Sequence, residues 1–112
     1  MLLARTRSKG ILVTKSTQAV TLIPGDGVGP EVAESARKIV DATGVKIDWQ
    51  VHEAGAEVFK KGLATGVPDD TITSIEQTRV VLKGPLATPV GFGEKSANVT
   101  LRKLFETYAN IR

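Results

Sequence analysis

The succession of elements in this sequence predicts an α/β fold, a largely parallel sheet flanked by helices. Three observations carry that expectation. Short apolar runs rich in β-branched residues, at 19–23, 46–52 and 79–82, read as strands. The stretches between them repeat their apolar residues at helical spacing, and strands that alternate with helices pack as a parallel sheet. Finally, Pro24, Gly44 and Gly62 fall where elements should end.

Composition bounds the rest. At 112 residues the chain suits one small domain with a modest core. It has no cysteine, which excludes disulfides, thiolate catalysis and cysteine-ligated zinc and suits a reducing compartment. No apolar run approaches the ~20 residues that span a membrane, so no membrane partner is expected. The net charge is +3, but Arg5, Arg7, Lys9 and Lys15 place +4 in the first 25 residues, leaving −1 for the remainder. A nearly neutral body argues against a nucleic-acid partner.

Residues 1–18 read as a basic, flexible extension without a sustained period. An Arg-rich, acid-free start has the character of a mitochondrial transit segment, but Leu2, Leu3, Ile11, Leu12 and Val13 form no helical stripe, which favours a simple tail and a cytoplasmic protein over the mitochondrial matrix. Residues 19–23 form a buried strand closed by Pro24. The loop Gly25-Asp26-Gly27-Val28-Gly29 leads to Pro30, well placed in a first helical turn. Val32, Ala36, Ile39 and Val40 mark that helix's expected buried stripe, and Gly44 stops it. A glycine-rich turn between strand and helix invites a dinucleotide-binding reading. Pro30 stands where the third glycine of the fingerprint belongs, so that reading fails.

Residues 46–52 alternate, with Ile47, Trp49 and Val51 on one side. His52, the single histidine, ends this strand and reads as structural. A short helix follows over 54–62, and another starts at Pro68, with Asp69 and Asp70 in its first turn complementing the helix dipole. Neighbouring residues on a helix diverge, so these two carboxylates do not form a metal site. Residues 79–82 give a third strand. It opens into Lys83-Gly84-Pro85-Leu86-Ala87-Thr88-Pro89-Val90-Gly91, a loop rich in Gly and Pro.

A last helix starts at Ser96, and Leu101, Leu104, Phe105 and Tyr108 define one apolar face. Asn98 and Arg102, four apart, share a second face, and Arg112 lies beyond the helix, in reach of Arg102. Ser96 occupies the helix start, where free N–H groups and the dipole favour an anion. Two guanidiniums, a hydroxyl and an amide suit an acid with more than one carboxylate, since arginine's planar fork matches carboxylate geometry. Taken singly, each has a plainer account: a cap, a solvated amide, surface charges. Gly91-Phe92-Gly93-Glu94-Lys95-Ser96 approaches a phosphate-binding P-loop, but Glu94 replaces the glycine required before Lys-Ser and would repel a phosphate.

Four stretches together resemble the metal-dependent decarboxylating dehydrogenases of the isocitrate and isopropylmalate family: Leu22-Ile23-Pro24-Gly25-Asp26-Gly27-Val28-Gly29-Pro30-Glu31, residues 82–91, residues 96–103 and Tyr108-Ala109-Asn110-Ile111-Arg112. The resemblance implies the amino-terminal part, over 19–112, of a fold that is not of the Rossmann type. It implies that Ser96, Asn98, Arg102 and Arg112 bind isocitrate, and that Lys83, Leu86, Thr88 and Asn98 lie near the nicotinamide end of NAD or NADP. The loop at Gly25 would then adjoin the cofactor's adenosine portion. In the isopropylmalate branch the positions of Asn98 and Val99 are usually leucines; a polar Asn98 favours isocitrate. The implied chemistry is oxidative decarboxylation to 2-oxoglutarate by a homodimer. Mg2+ or Mn2+ ligands and the catalytic lysine and tyrosine are expected outside this chain, which would be inactive alone. The alternatives are a 3-isopropylmalate, homoisocitrate or tartrate dehydrogenase, or a non-catalytic module that binds a polycarboxylate or a protein.

Overall fold

Everything is placed against β2 (Gln18–Ile23), the central strand of a parallel trio. The structure, a computed structural model, describes residues 2–4, 17–91 and 95–111. Val20, Thr21, Leu22 and Ile23 are all buried, as a strand covered on both faces requires. β3 (Ile47–Val51) pairs with β2 in parallel on one side, Val20 opposite Trp49. β4 (Val80–Lys83) pairs with it in parallel on the other, Leu22 opposite Leu82.

The expected extension contains an element that the sequence pattern did not reveal. Leu2–Ala4 forms a three-residue strand, β1, lying antiparallel between β4 and β5 (Ala109–Ile111). The sheet order is therefore β3-β2-β4-β1-β5. Since β1 opposes both neighbours, the other four strands share one direction, and the largely parallel sheet is as expected. Three residues are too few for a period-2 pattern to register.

α1 (Gly29–Ala42) begins with Pro30 near its N-terminus and turns Gly29 and Ala33 inward. Its buried stripe differs from expectation. Ala36 and Val40 are half-buried, but Val32 and Ile39 are 54% and 69% exposed. The helix carries two apolar seams: Gly29, Ala33, Ala36 and Val40 turn inward, while Val32 and Ile39 lie about 100° around the axis and face outward. Sequence periodicity merged the two.

α2 (Ala56–Lys60) sends Val58 and Phe59 into the core. α3 (Asp69–Thr78) packs through hydroxyls as well as Ile75. Thr21 Oγ1 lies 2.8 Å from both Ser74 Oγ and Thr78 Oγ1, and the Thr71 hydroxyl donates to the Glu53 carbonyl at 2.8 Å. Asp69 and Asp70 occupy the first turn of α3, and the helix closes at Arg79, in the left-handed region at φ 61°. The core joins Ile23, Phe59, Val67, Ile75 and Val81 to Leu86, Ala97, Leu101 and Phe105. α4 (Ala97–Leu104) is shorter than its apolar repeat. Leu101 and Phe105 are buried, whereas Leu104 and Tyr108 are exposed, because Glu106 at φ 44° turns the chain into β5.

Candidate ligand-binding site

Two loops cross at the carboxyl ends of β2 and β4, and their backbones touch. The Gly84 amide donates to the Ile23 carbonyl at 2.8 Å, and the Asp26 amide to the Pro85 carbonyl at 2.7 Å. A Cβ at Gly84 would overlap the Pro24 carbonyl, and one at Gly25 the Pro85 carbonyl. Only glycine admits this approach. The Asp26 carboxylate then ties three segments together. Its Oδ2 accepts from the Ala87 amide at 2.8 Å and from the Ala56 amide, at the start of α2, at 3.0 Å.

The loop after β4 is held so that its residues divide their tasks. The Leu86 side chain is buried in the core, where it leaves only its backbone to the site. The Leu86 carbonyl accepts from Asn98 Nδ2 at 3.2 Å. Lys83 is 4% exposed and its ammonium donates to the Gly84 carbonyl at 2.9 Å, which binds this cation into the base of the loop.

α4 supplies the second wall. Ser96 is its N-cap, with Oγ accepting from the Val99 amide at 3.3 Å, so its hydroxyl already serves the helix. Asn98 stands in the first turn of the helix. Arg102 Nε donates to the Asn98 carbonyl at 3.2 Å, which fixes the guanidinium along the helix on the face predicted for it. Arg112 and residues 92–94 lie outside the described residues, and with them the expected second arginine and the middle of the apparent P-loop.

Two polar atoms in this region are buried and have no hydrogen-bond partner among the described residues: Thr88 Oγ1 and Asn98 Oδ1. An orphaned buried polar atom costs about 1–3 kcal/mol, so two of them at residues already singled out point to a ligand. The Asn98 pair is also oriented. Its NH2 faces a carbonyl that needs a donor, which leaves the oxygen for an incoming N–H or O–H. The residues therefore fit a group that offers hydrogen-bond donors, as a carboxamide or a ribose does. They do not supply a metal centre: among the described residues no three His, Cys, Asp or Glu side chains gather.

A cleft of about 450 Å³ adjoins this region. It is lined by Pro24, Gly25 and Asp26 on one side and by Val51, His52, Glu53 and Glu57 on another, at the carboxyl ends of β2 and β3. Ligands of open α/β sheets bind at that end of the strands, and the volume lies in the range of small-molecule sites. His52 lines the cleft while its amide bonds the Leu22 carbonyl at 2.9 Å. The structure thus links Leu86, Asn98 and Arg102 by hydrogen bonds, places Ser96 as the cap of the same helix and seats Lys83 beneath the loop. Sequence reasoning missed Asp26. Its only signal was an acid between two glycines at a loop crossing that no local pattern reveals.

The profile of the family described as isocitrate/isopropylmalate dehydrogenase matches residues 19–112. The isocitrate dehydrogenase [NADP] of Thermus thermophilus is 55% identical over 112 residues, all of this chain and 23% of that protein. Subunit 2 of the mitochondrial isocitrate dehydrogenase [NAD] of Saccharomyces cerevisiae is 47% identical over 93 residues, covering 83% of this chain and 25% of its own length. The chloroplastic 3-isopropylmalate dehydrogenase of Solanum tuberosum is 46% identical over 92 residues, 82% of this chain and 26% of that protein. Among solved structures, isocitrate dehydrogenase from Methylococcus capsulatus superposes with a TM-score of 0.72 at 46% identity, over 80% of this chain and 26% of the other. The chain spans about a quarter of the length of the curated relatives it matches.

Proposed function

Because the chain belongs to the isocitrate/isopropylmalate dehydrogenase family, we propose that it forms the amino-terminal part of an isocitrate dehydrogenase. The complete enzyme would oxidise isocitrate with NAD or NADP and release CO2 to give 2-oxoglutarate. A divalent metal would supply Lewis-acid stabilisation of the enolate, with its ligands outside the residues described here. This part contributes one wall of the substrate pocket and the nicotinamide side of the cofactor site, and a second copy of the enzyme completes a dimer.

The observation that carries this reading is the buried Asn98 Oδ1, which has no hydrogen-bond partner among the described residues. Hydrogen bonding to Leu86 aims it as an acceptor, so it meets the nicotinamide carboxamide or a ribose hydroxyl. Isocitrate carboxylates fall to the donors: Arg102, whose terminal nitrogens extend past the Nε bond to Asn98, Arg112 and the Ser96 hydroxyl. An amide oxygen repels a carboxylate, so Asn98 turns this oxygen to the cofactor. Thr88 Oγ1 has the same standing as a cofactor contact, with Lys83 and Leu86 shaping the loop beneath it. The adjoining cleft beside Gly25 suits the adenosine portion.

An isopropyl substituent would pack against the polar Asn98 side chain rather than an apolar wall of leucines, a mismatch of about 1–3 kcal/mol. The substrate is therefore isocitrate rather than an alkyl malate. The test is Asn98→Leu with Val99→Leu in the intact enzyme. The ratio of kcat/KM for isocitrate to that for an alkyl-substituted malate should fall by about ten- to a hundredfold. An unchanged ratio would place substrate discrimination elsewhere and remove the support for isocitrate.

A further inference from the structure

We propose that Asp26 is the positioning residue of this site: its carboxylate sets the 84–88 loop and, through that loop, the direction of the Asn98 amide. The inference builds on the ligand-binding reading above and adds to it a residue assigned no role there. Asp26 borders the adjoining cleft but reaches Asn98 only through other residues.

The relay can be followed bond by bond. Asp26 Oδ2 accepts from the Ala87 amide at 2.8 Å. The amide of Ala87 and the carbonyl of Leu86 belong to one peptide unit, which is planar, so fixing one fixes the other. That Leu86 carbonyl receives Asn98 Nδ2 at 3.2 Å, and its direction decides which way the Asn98 oxygen points. Asp26 is itself held at both ends of its backbone: its amide donates to the Pro85 carbonyl at 2.7 Å and its carbonyl accepts from Gly29 at 2.8 Å. The carboxylate has little freedom to follow the loop, so the loop follows it.

The second bond from Oδ2, to the Ala56 amide at 3.0 Å, extends the same control to the cleft. Asp26 lines that cleft together with Glu53 and Glu57 on the chain around α2. One oxygen therefore spaces the cleft wall from the 84–88 loop. A ligand that spans both would find its two contact regions at a distance fixed by this side chain. Charge-assisted bonds from an ionised carboxylate to backbone N–H groups are about twice as strong as neutral ones, which suits a group that must hold two segments at once. The crowding at Gly55 agrees: a Cβ there would overlap the Asp26 carboxylate, so the chain at α2 is drawn close to it.

A merely structural aspartate would loosen the whole sheet end when removed; a positioning one loosens the loop and Asn98 selectively. Amide hydrogen exchange with NMR on the intact enzyme, free of ligand, separates these. In Asp26→Ala, exchange at Ala87 and Ala56 should speed up at least tenfold, and the Asn98 side-chain NH2 resonances should shift. The amides of His52 and Arg79, bonded to the Leu22 and Ile75 carbonyls, lie outside the loop, serve as controls and should stay within about twofold. Asp26→Asn keeps an acceptor oxygen in place, so it should fold where Ala does not and show a smaller acceleration at the same two amides. Unchanged exchange at Ala87, unchanged Asn98 resonances, or acceleration shared equally by His52 and Arg79 in both variants overturns the proposal. Exchange requires no ligand, so the outcome is independent of the cofactor reading. NADP+ titration of the intact enzyme tests that reading: a loosened loop with unchanged NADP+ affinity would support positioning by Asp26 and sink the assignment of the site to the cofactor.

Discussion

Replacing Arg102 by lysine separates a carboxylate-binding arginine from a solvated surface cation. The side chain is half-buried, and its Nε donates to the Asn98 carbonyl at 3.2 Å. That bond orients the guanidinium plane, and in the proposed site the two terminal nitrogens would grip a carboxylate side by side. Lysine retains the charge but cannot make the Nε bond and the fork together. At least one charge-assisted hydrogen bond is lost, about 1.5–3 kcal/mol, which lowers kcat/KM for isocitrate by about ten- to a hundredfold. The assay is steady-state kinetics of Arg102→Lys in the intact enzyme, with thermal melts showing that the fold is retained. The loss should appear mainly in KM for isocitrate, since a carboxylate is gripped in ground and transition states alike. Wild-type kcat/KM with an unchanged melt would refute the carboxylate grip and leave Arg102 as a helix-surface cation.

Three stability predictions follow from the packing. Thr21→Val removes the hydroxyl shared by Ser74 and Thr78, but each of these keeps another partner, Gln50 and the Val80 carbonyl. Chemical denaturation should therefore show a loss of about 1–2 kcal/mol rather than the full cost of two orphaned groups. Gly84→Ala drives a methyl into the Pro24 carbonyl, a backbone group that cannot step aside, and should cost at the upper end of about 1–3 kcal/mol. Val32→Lys with Ile39→Lys places charges on the exposed seam of α1 and should change unfolding free energy by within about 0.5 kcal/mol. The same double variant should reduce self-association of the 112-residue chain in light scattering, because that seam is apolar and uncovered.

Local chemistry alone determined much of this protein. Pro24, Gly44 and Gly62 punctuate the elements because proline and glycine restrict or free the backbone wherever they stand. Buried from Val20 to Ile23, β2 shows as a short run rich in β-branched residues and closed by Pro24. Ser96 could be placed as an N-cap from its position before Ala97, and Arg102 beside Asn98 from a spacing of four. The resemblance to one dehydrogenase family rested on the same kind of short-range order. What the tertiary structure decided involves residues far apart in sequence. Which of α1's two apolar seams meets the sheet depends on where the sheet lies, so Val32 and Ile39 could not be separated from Ala36 and Val40 by period. That α4 stops at Leu104 depends on a turn at Glu106 that delivers the chain to β1, whose three residues carry no pattern. The role of Asp26 depends on Ala87, 61 positions away. A side chain's hydrogen-bond partner is set by which backbones the fold brings within about 3 Å, and no sequence window contains that distance.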